Sequence, residues 1–507
     1  MRHNLTSVTM LAVLLAPIPI APRAAAKPKT QVTSAKQLVD LPARWKRAME
    51  DFDIPGMAVA VIRDDDVVML ETLGVRDPVS RTPVTQDTVF YLASCTKAFT
   101  ATAILQLVEQ GTIDLDAPVR TYLPRFELAD RKATEEITVR ELLSHARGLS
   151  SDPIVWLEAF TGEITEDRFY RFLKEVKPTG SFRYSNLHYT LAGRIISAVT
   201  GKNWKDVLED RIFRPLGMDS STCYADEMYA RSDVAIPSVV RDGRLVPALT
   251  RKNDSIMHAA GGHGASIKDL VIWMRFNLTG RSASGRPVLS AESLHEMHEP
   301  QAEQSRRLPI PGQTRTGYGL GWNIGEYKGK TVLEHGGSYV GTSAAISFLP
   351  EEQIGVAVLL NAQSPLTLVF TADVFDRLLG VRPTDILPRM KKGYDRSKAR
   401  RSTEHGSADS DPASSSDRLS LDPRAYVGRY ANHMWGTIKI DLQDRRLVAR
   451  MGTLPLELVL HGTDRFSVRN SGGTPIAGRF VVHADSTVGA VLLAIDEEGN
   501  EVAFDKQ

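Results

Sequence analysis

Two apolar runs on either side of a short polar break open the patterned part of the chain. Residues 56–62 (GMAVAVI) and 67–73 (VVMLETL) flank Arg63 to Asp66, which predicts a β-hairpin. Much later, residues 344–349 and 354–360 flank Pro350-Glu351-Glu352-Gln353 and predict another. Between them the apolar spacing lengthens. Ala98, Ala101, Leu105 and Val108 stand at i, i+3, i+7 and i+10, so 98–110 is predicted helical, as are 139–143 and 188–200. Residues 366–379 predict one more amphipathic helix. A sheet assembled from both ends of a zone, with a helical insert between, is α+β architecture.

The pattern stops after that zone, which runs over 38–387. Residues 391–420, with SADSDPASSSD at their centre, hold almost nothing apolar. They predict a flexible linker, because such a segment buries too little surface to offset its chain entropy. Over 421–507 short β-like stretches return at 436–442, 446–451, 454–460, 466–468, 479–483 and 488–495. Turn residues separate them closely, as in a small antiparallel sheet or barrel.

Composition narrows the function classes. The 507 residues include 62 basic and 61 acidic side chains, a formal charge of +1, so nothing draws the chain to nucleic acid or an anionic membrane. Two cysteines, Cys95 and Cys223, exclude a disulfide framework and four-cysteine zinc sites by count. His295-Glu296-Met297-His298 has the wrong spacing for a zinc-protease helix and predicts a solvated helix surface. No metal or cofactor is indicated. At the start, Arg2 and His3 precede an apolar stretch over 10–20, broken by Pro17 and Pro19, and Ala24-Ala25-Ala26 offers a cleavage site. This predicts a removed signal peptide over 1–26 and a periplasmic or secreted protein with no stable membrane anchor.

Three short strings carry candidate chemistry. Ser94-Cys95-Thr96-Lys97 joins a strand-like stretch to the helix over 98–110, so Ser94 falls at or just inside a helix N-terminus with Lys97 on its face. The Ser94 amide has no helical partner and can face a developing oxyanion. A serine hydroxyl needs a base, and Lys97 serves only if neutral. Lowering a lysine from about 10.4 to about 7 takes roughly 4–5 kcal/mol, and a helix N-terminus supplies at most about 2, so Lys97 is predicted to be enclosed. The plainer reading makes Ser94 a helix cap and Lys97 a solvated first-turn residue. Tyr184-Ser185-Asn186 precedes a helix, as a turn and cap would. Functionally it brings a phenol able to share a proton with Lys97 and an amide able to hold a substrate carbonyl. His335-Gly336-Gly337-Ser338 lies in a strand-like context, as a hairpin turn or as a close-approach site. In the second case a substrate lies along the strand edge and the Ser338 amide is a second oxyanion donor.

Taken in this order, the three strings resemble those of the penicillin-recognising serine hydrolases: class C β-lactamases, D-alanyl-D-alanine carboxypeptidases, D-aminopeptidases and related esterases. YLASCTK (91–97), VRTYLP (119–124), ITVRELLSHARGL (137–149), PLGM (215–218), 261–266 and YGLGW (318–322) are similar to that family's strings. The resemblance implies a β-lactamase-like fold over 38–387, an antiparallel sheet flanked by helices. It also implies that Ser94 is acylated, that Lys97 and Tyr184 form the base pair, and that Asn186 binds substrate. His335 and Gly337 would line the strand wall, and the Ser94 and Ser338 amides would form the oxyanion hole. Where this family usually has Lys-Thr-Gly or Lys-Ser-Gly, the chain has His335-Gly336-Gly337. Gly336 offers no hydroxyl for a substrate carboxylate, while His335 can still donate and become cationic at mildly acid pH. That favours hydrolysis of small esters or D-amino-acid peptides and amides. A β-lactamase or carboxypeptidase proper, and a penicillin-binding sensor that never turns over, stand as alternatives. Cys95 as nucleophile is disfavoured, since its side chain points roughly 100° away from Ser94. YVGRY (426–430) opens a stretch resembling the small lipocalin-like barrels appended to some of these hydrolases.

Overall fold

Strand β1 (Gly56–Arg63) is buried along almost its whole length, which only a strand covered on both faces can be. Its side chains divide by parity. Met57, Val59 and Val61 join one apolar cluster with helices α1 (Leu41–Asp51) and α5 (Leu366–Leu379). Ala58, Ala60 and Ile62 join another, on the opposite face, with helices α2 (Thr96–Glu109), α3 (Asn186–Thr200) and α4 (Ile267–Thr279). Small alanines on that second face let α4 lie close. The computed structural model describes residues 34–241, 243–282, 285–409, 418–469, 476–495 and 499–507. The expected leader, 1–26, lies outside them.

Around β1 an eight-stranded antiparallel sheet is assembled. Its strands are β2 (Asp66–Gly74), β3 (Ala302–Arg307), β4 (Gln313–Tyr318), β5 (Asn323–Tyr327), β6 (Lys330–Tyr339), β7 (Thr342–Leu349) and β8 (Ile354–Leu360), in the order β2-β1-β8-β7-β6-β5-β4-β3. The N-terminal hairpin thus pairs with the C-terminal one, Met57 opposite Leu360. Both predicted hairpins and the helix Leu366–Leu379 form as the pattern required. The polar edge strand β3 and its neighbour β4 had no sequence signal, because the burial pattern of β3 never rises above half-buried.

The C-terminal part is a closed eight-stranded barrel: β9 (Gly428–Asn432), β10 (Gly436–Gln443), β11 (Arg446–Met451), β12 (Leu454–Leu460), β13 (Arg465–Arg469), β14 (Ile476–Val482), β15 (Val488–Ala494) and β16 (Glu501–Lys506). Tyr426, Tyr430, Phe466, Phe480 and Phe504 fill its interior, as a barrel of this size requires. The six predicted stretches are strands; β9 and β16, which pair to close the ring, are short and half polar. The barrel seats on the π-helical turn Leu157–Thr161. Thr453 N donates to Thr161 O (2.9 Å), Thr437 N to Glu163 Oε2 (3.1 Å), and Trp156 Nε1 lies 2.9 Å from Met451 Sδ. Gly452, at φ +54°, comes so close to Thr161 O that no side chain fits there.

Two expectations change. Residues 391–409, expected as flexible linker, belong to a helix running Leu387–Asp409. Lys, Arg and Ala are helix formers, and the first turns are anchored: Leu387, Met390 and Tyr394 pack on the α1–α5 cluster, and the Tyr394 hydroxyl donates to Asp53 (2.9 Å). Residues 410–417 lie outside the described residues. The second concerns His295 and His298. His295 is exposed, but His298 is half-buried, its Nε2 3.3 Å from Asn277 Oδ1.

Candidate functional site

Ser94 sits in a tight 3₁₀ turn, Ala93–Cys95, between a three-residue strand, Val89–Tyr91, and α2. Ala93 takes φ +46° there, a left-handed conformation rare outside glycine. The turn is held at both ends: Leu92 N donates to His263 O (2.9 Å) and Thr96 Oγ1 to Ala93 O (2.7 Å). Lys97, one turn on, is completely buried, as expected. Its Nζ lies 3.1 Å from Ser94 Oγ, 2.8 Å from Asn186 Oδ1 and 2.8 Å from Ala260 O. The rings of Tyr184 and Tyr189 stand 4.8 and 5.7 Å away. Among the described residues no carboxylate touches it, and burial drives the amine well below the ordinary lysine value.

Tyr184 and Asn186 come from the N-terminus of α3, where Ser185 is the cap, its side chain accepting from Leu187 N. Tyr184 is 41 % exposed to the cleft, with its ring 4.8 Å from the Lys97 amine. The atoms crowded around it raise the phenol above its usual value despite that exposure. Asn186 faces Lys97 with its carbonyl oxygen.

The third string lies on β6. Pairing with β5 ends at Glu334–Asn323, and beyond that the strand runs beside the Ser94 turn. A Cβ on Gly337 would fall within the Leu92 carbonyl and 3.1 Å from Ser94 N. The glycine therefore admits the Ser94 turn itself, not a substrate as the sequence suggested. Cys95 Sγ donates to His335 O (3.2 Å), and burial raises its thiol far above the range of a nucleophile. Cys223 is also free and buried.

His335 differs from expectation. Its Nδ1 is 2.8 Å from Gly336 O, which can only accept, so Nδ1 carries the proton and Nε2 accepts from the Tyr318 hydroxyl (3.1 Å). Burial lowers the imidazole to about 3. It stays neutral at mildly acid pH, with no proton left for an anion. Tyr318, in the YGLGW string, carried no assigned role in the sequence. His145 was also missed. It is buried at φ +59°, its ring 4.7 Å from Tyr184 and 4.8 Å from Tyr318. Ala260, as a backbone acceptor, leaves no side-chain signature to find.

Ser94, Tyr184, His335, Gly336, Gly337 and Ser338 line one cleft of about 970 Å³, with Phe182, Arg306, Arg315 and Leu368 on its other walls. Lys97 and Asn186 lie behind Ser94. Among the described residues, none of the barrel lines this cleft.

A half-buried hydroxyl, a buried amine of lowered basicity and a strand edge within reach make a constellation for acyl transfer. Known proteins agree. The β-lactamase family profile matches residues 42–380. Penicillin-binding protein 4 of Amycolatopsis lactamdurans is 31 % identical over 350 residues, covering 67 % of this chain and 89 % of that protein. An octameric penicillin-binding protein homologue from Pyrococcus abyssi shares 25 % identity at a TM-score of 0.60, over 92 % of this chain and 100 % of its own. D-amino acid amidase from Ochrobactrum anthropi SV3 shares 26 % at a TM-score of 0.54, over 69 % of this chain and 98 % of its own. The chain belongs to the β-lactamase family of serine hydrolases.

Proposed function

We propose that this protein is an exported hydrolase that cleaves small esters or D-amino-acid peptides and amides through an acyl-enzyme on Ser94. The observation that carries the reading is the 3.1 Å approach of a fully buried Lys97 amine to Ser94 Oγ. A neutral amine has two N–H groups and one lone pair. Asn186 Oδ1 and Ala260 O take the two N–H groups, leaving the lone pair for the Ser94 hydroxyl proton. Ser94 Oγ then bonds to the substrate carbonyl carbon as its proton moves to Nζ. The carbonyl becomes an oxyanion, received by the amides of Ser94 and Ser338. Collapse expels the alcohol or amine, which takes the proton back from Lys97. Water repeats the sequence to free the acid. Tyr184, with its phenol raised and its ring against the Lys97 amine, acts as a protonated relay beside Lys97, which is the base.

Esters and amides are favoured over β-lactams and carboxyl-terminal peptides because β6 presents no cation beside the Ser94 turn; the cleft's guanidiniums, Arg306 and Arg315, stand on β3 and β4, and Arg315 is paired with Glu334. His335 is neutral and its proton is committed to Gly336 O, while Gly336 brings no hydroxyl. The likeness to a D-amino acid amidase supports the amide branch. The leader pattern over 1–26 supports export.

The test follows intact mass over time for the wild type and Ser94→Ala with a short acyl ester, a D-amino-acid amide and a penicillin. The expected result is one transient acyl adduct with ester or amide, and none in the variant. Full turnover by Ser94→Ala sinks the reading; a permanent adduct without product supports the sensor alternative instead.

A further inference from the structure

We infer that Lys252 is a positioning residue for this reaction, clamping together the two chain segments that carry the Ser94 and Ser338 amides. The inference rests on the acyl-enzyme reading above.

Lys252 is only 2 % exposed and lies outside the catalytic cleft. Its Nζ donates to Ala159 O (2.7 Å) and Ile256 O (3.0 Å). The remaining side of the amine faces three rings: Tyr339 at 4.2 Å, Phe160 at 5.7 Å and Tyr91 at 5.8 Å. Tyr91 ends the strand that leads into the Ser94 turn, three residues before Ser94, and Tyr339 follows Ser338 directly on β6. The two tyrosine rings meet edge to face at 5.8 Å, and Tyr339 stacks on Phe160 at 5.5 Å. One buried amine therefore sits in a cage two of whose walls are the two donor segments. A cation over these ring faces draws the walls together, and an oxyanion hole depends on that spacing.

The third wall adds a connection. Phe160 and Ala159 belong to the Leu157–Thr161 turn, the seat of the barrel, where Thr453 N reaches Thr161 O. Since no described barrel residue lines the cleft, the barrel's contact with the site runs through this clamp.

The groups facing Lys252 leave the clamp able to titrate. Glu158, on the same turn, favours the ammonium; His258 stays neutral, as do the phenols of Tyr91, Tyr229 and Tyr339, and Arg251 lies over the Tyr229 ring. Burial sets the amine at about 7. The cation is present below that pH and lost above it, whereas the two carbonyl contacts persist.

The experiment compares acylation rates of wild type, Lys252→Met and Lys252→Arg from about pH 5.5 to about pH 8.5. Lys252→Met is expected to acylate about tenfold more slowly at the acid end with KM little changed, since small misplacements of reacting groups cost this much. The gap should close towards the alkaline end, and Lys252→Arg, which keeps its charge, should match the wild type at the acid end and exceed both at the alkaline end. Titration of Lys97 affects all three proteins alike and cancels in the ratio. Equal rates, or a pH-independent loss that arginine does not rescue, overturn the clamp. Should Lys252→Met fail to fold, Phe160→Leu removes another wall and must also slow acylation. Independently of turnover, amide hydrogen exchange at 90–94 and 336–341 should rise in the variant, and unchanged exchange overturns the inference even if Ser94 never acylates.

Discussion

Gly336 and Gly337 are neighbours on β6, neither has a positive φ, and the structure assigns them opposite tolerances. A methyl at Gly337 would fall within the Leu92 carbonyl group, 3.0 Å from its carbon and 3.1 Å from Ser94 N. Those are backbone atoms in a turn already holding Ala93 at φ +46°, so no side chain can swing aside. At Gly336 the nearest atom to a new methyl is Ala344 O, 3.8 Å away, an ordinary contact. Restoring contact distance in Gly337→Ala requires the strand and the Ser94 turn to part by about 1 Å. Such a displacement at reacting groups costs on the order of 100-fold in rate, or about 2.7 kcal/mol of barrier. Overpacking should cost a further ~1–3 kcal/mol of stability, leaving a folded but less stable protein. The assay is the rate of acyl-adduct formation by intact mass, with a thermal melt as control for folding. We expect Gly337→Ala to acylate on the order of 100-fold more slowly and Gly336→Ala to stay within about threefold of wild type. Gly337→Ala acylating at the wild-type rate, or both variants failing alike, refutes the argument that Gly337 sets the distance between strand and nucleophile.

Lys97→Arg should fold yet acylate roughly 10²–10⁴-fold more slowly, because a guanidinium stays protonated and offers no lone pair. In the wild type the acylation rate should rise with pH and level off well below 10.5, since burial lowers the amine and the neutral form is the base; a rate climbing log-linearly to pH 10 contradicts this. His188, His263 and His335 are fully buried, each lowered to about 3 by desolvation. The unfolded chain protonates them near 6.5, so their stabilisation is present above that pH and is lost as pH falls towards 3. Each contributes roughly 1.4 kcal/mol per pH unit below the unfolded value. Asp269, raised to about 6 by burial, opposes them with a single share near that pH. Urea midpoints should fall steeply from pH 7 to pH 5, and a flat profile tells against neutral burial.

What the sequence disclosed follows from where the physical signal sits. Residues 56–62 betrayed their strand because burial on both faces demands an unbroken apolar run, and 366–379 their helix because its apolar residues recur at helical spacing, though the helix is buried on most of its sides. Lys97 was legible as enclosed because the chemistry demanded it. β3 and β9 were not legible, being half exposed and rich in polar residues. The helix over 387–409 was concealed by a composition that helix and coil share, and its anchors, Leu387, Met390 and Tyr394, lie at its start. The chemistry of His335 depended on Tyr318 and on a carbonyl, and the Gly337 contact on a turn far away in sequence. None of these tertiary partners follows from a short string.

The pairing of β1 with β8 has a consequence for the order of events as the chain is made. The hairpin of β1 and β2 exists early, yet its partner edge is synthesised roughly three hundred residues later. At ordinary elongation rates that is a wait of roughly 15–60 s. Throughout it the free edge of β1 and two apolar faces stand open, an invitation to pair with another chain. Until Leu360 is made, the nascent chain therefore carries an unpaired strand edge that no later packing of its core can cover.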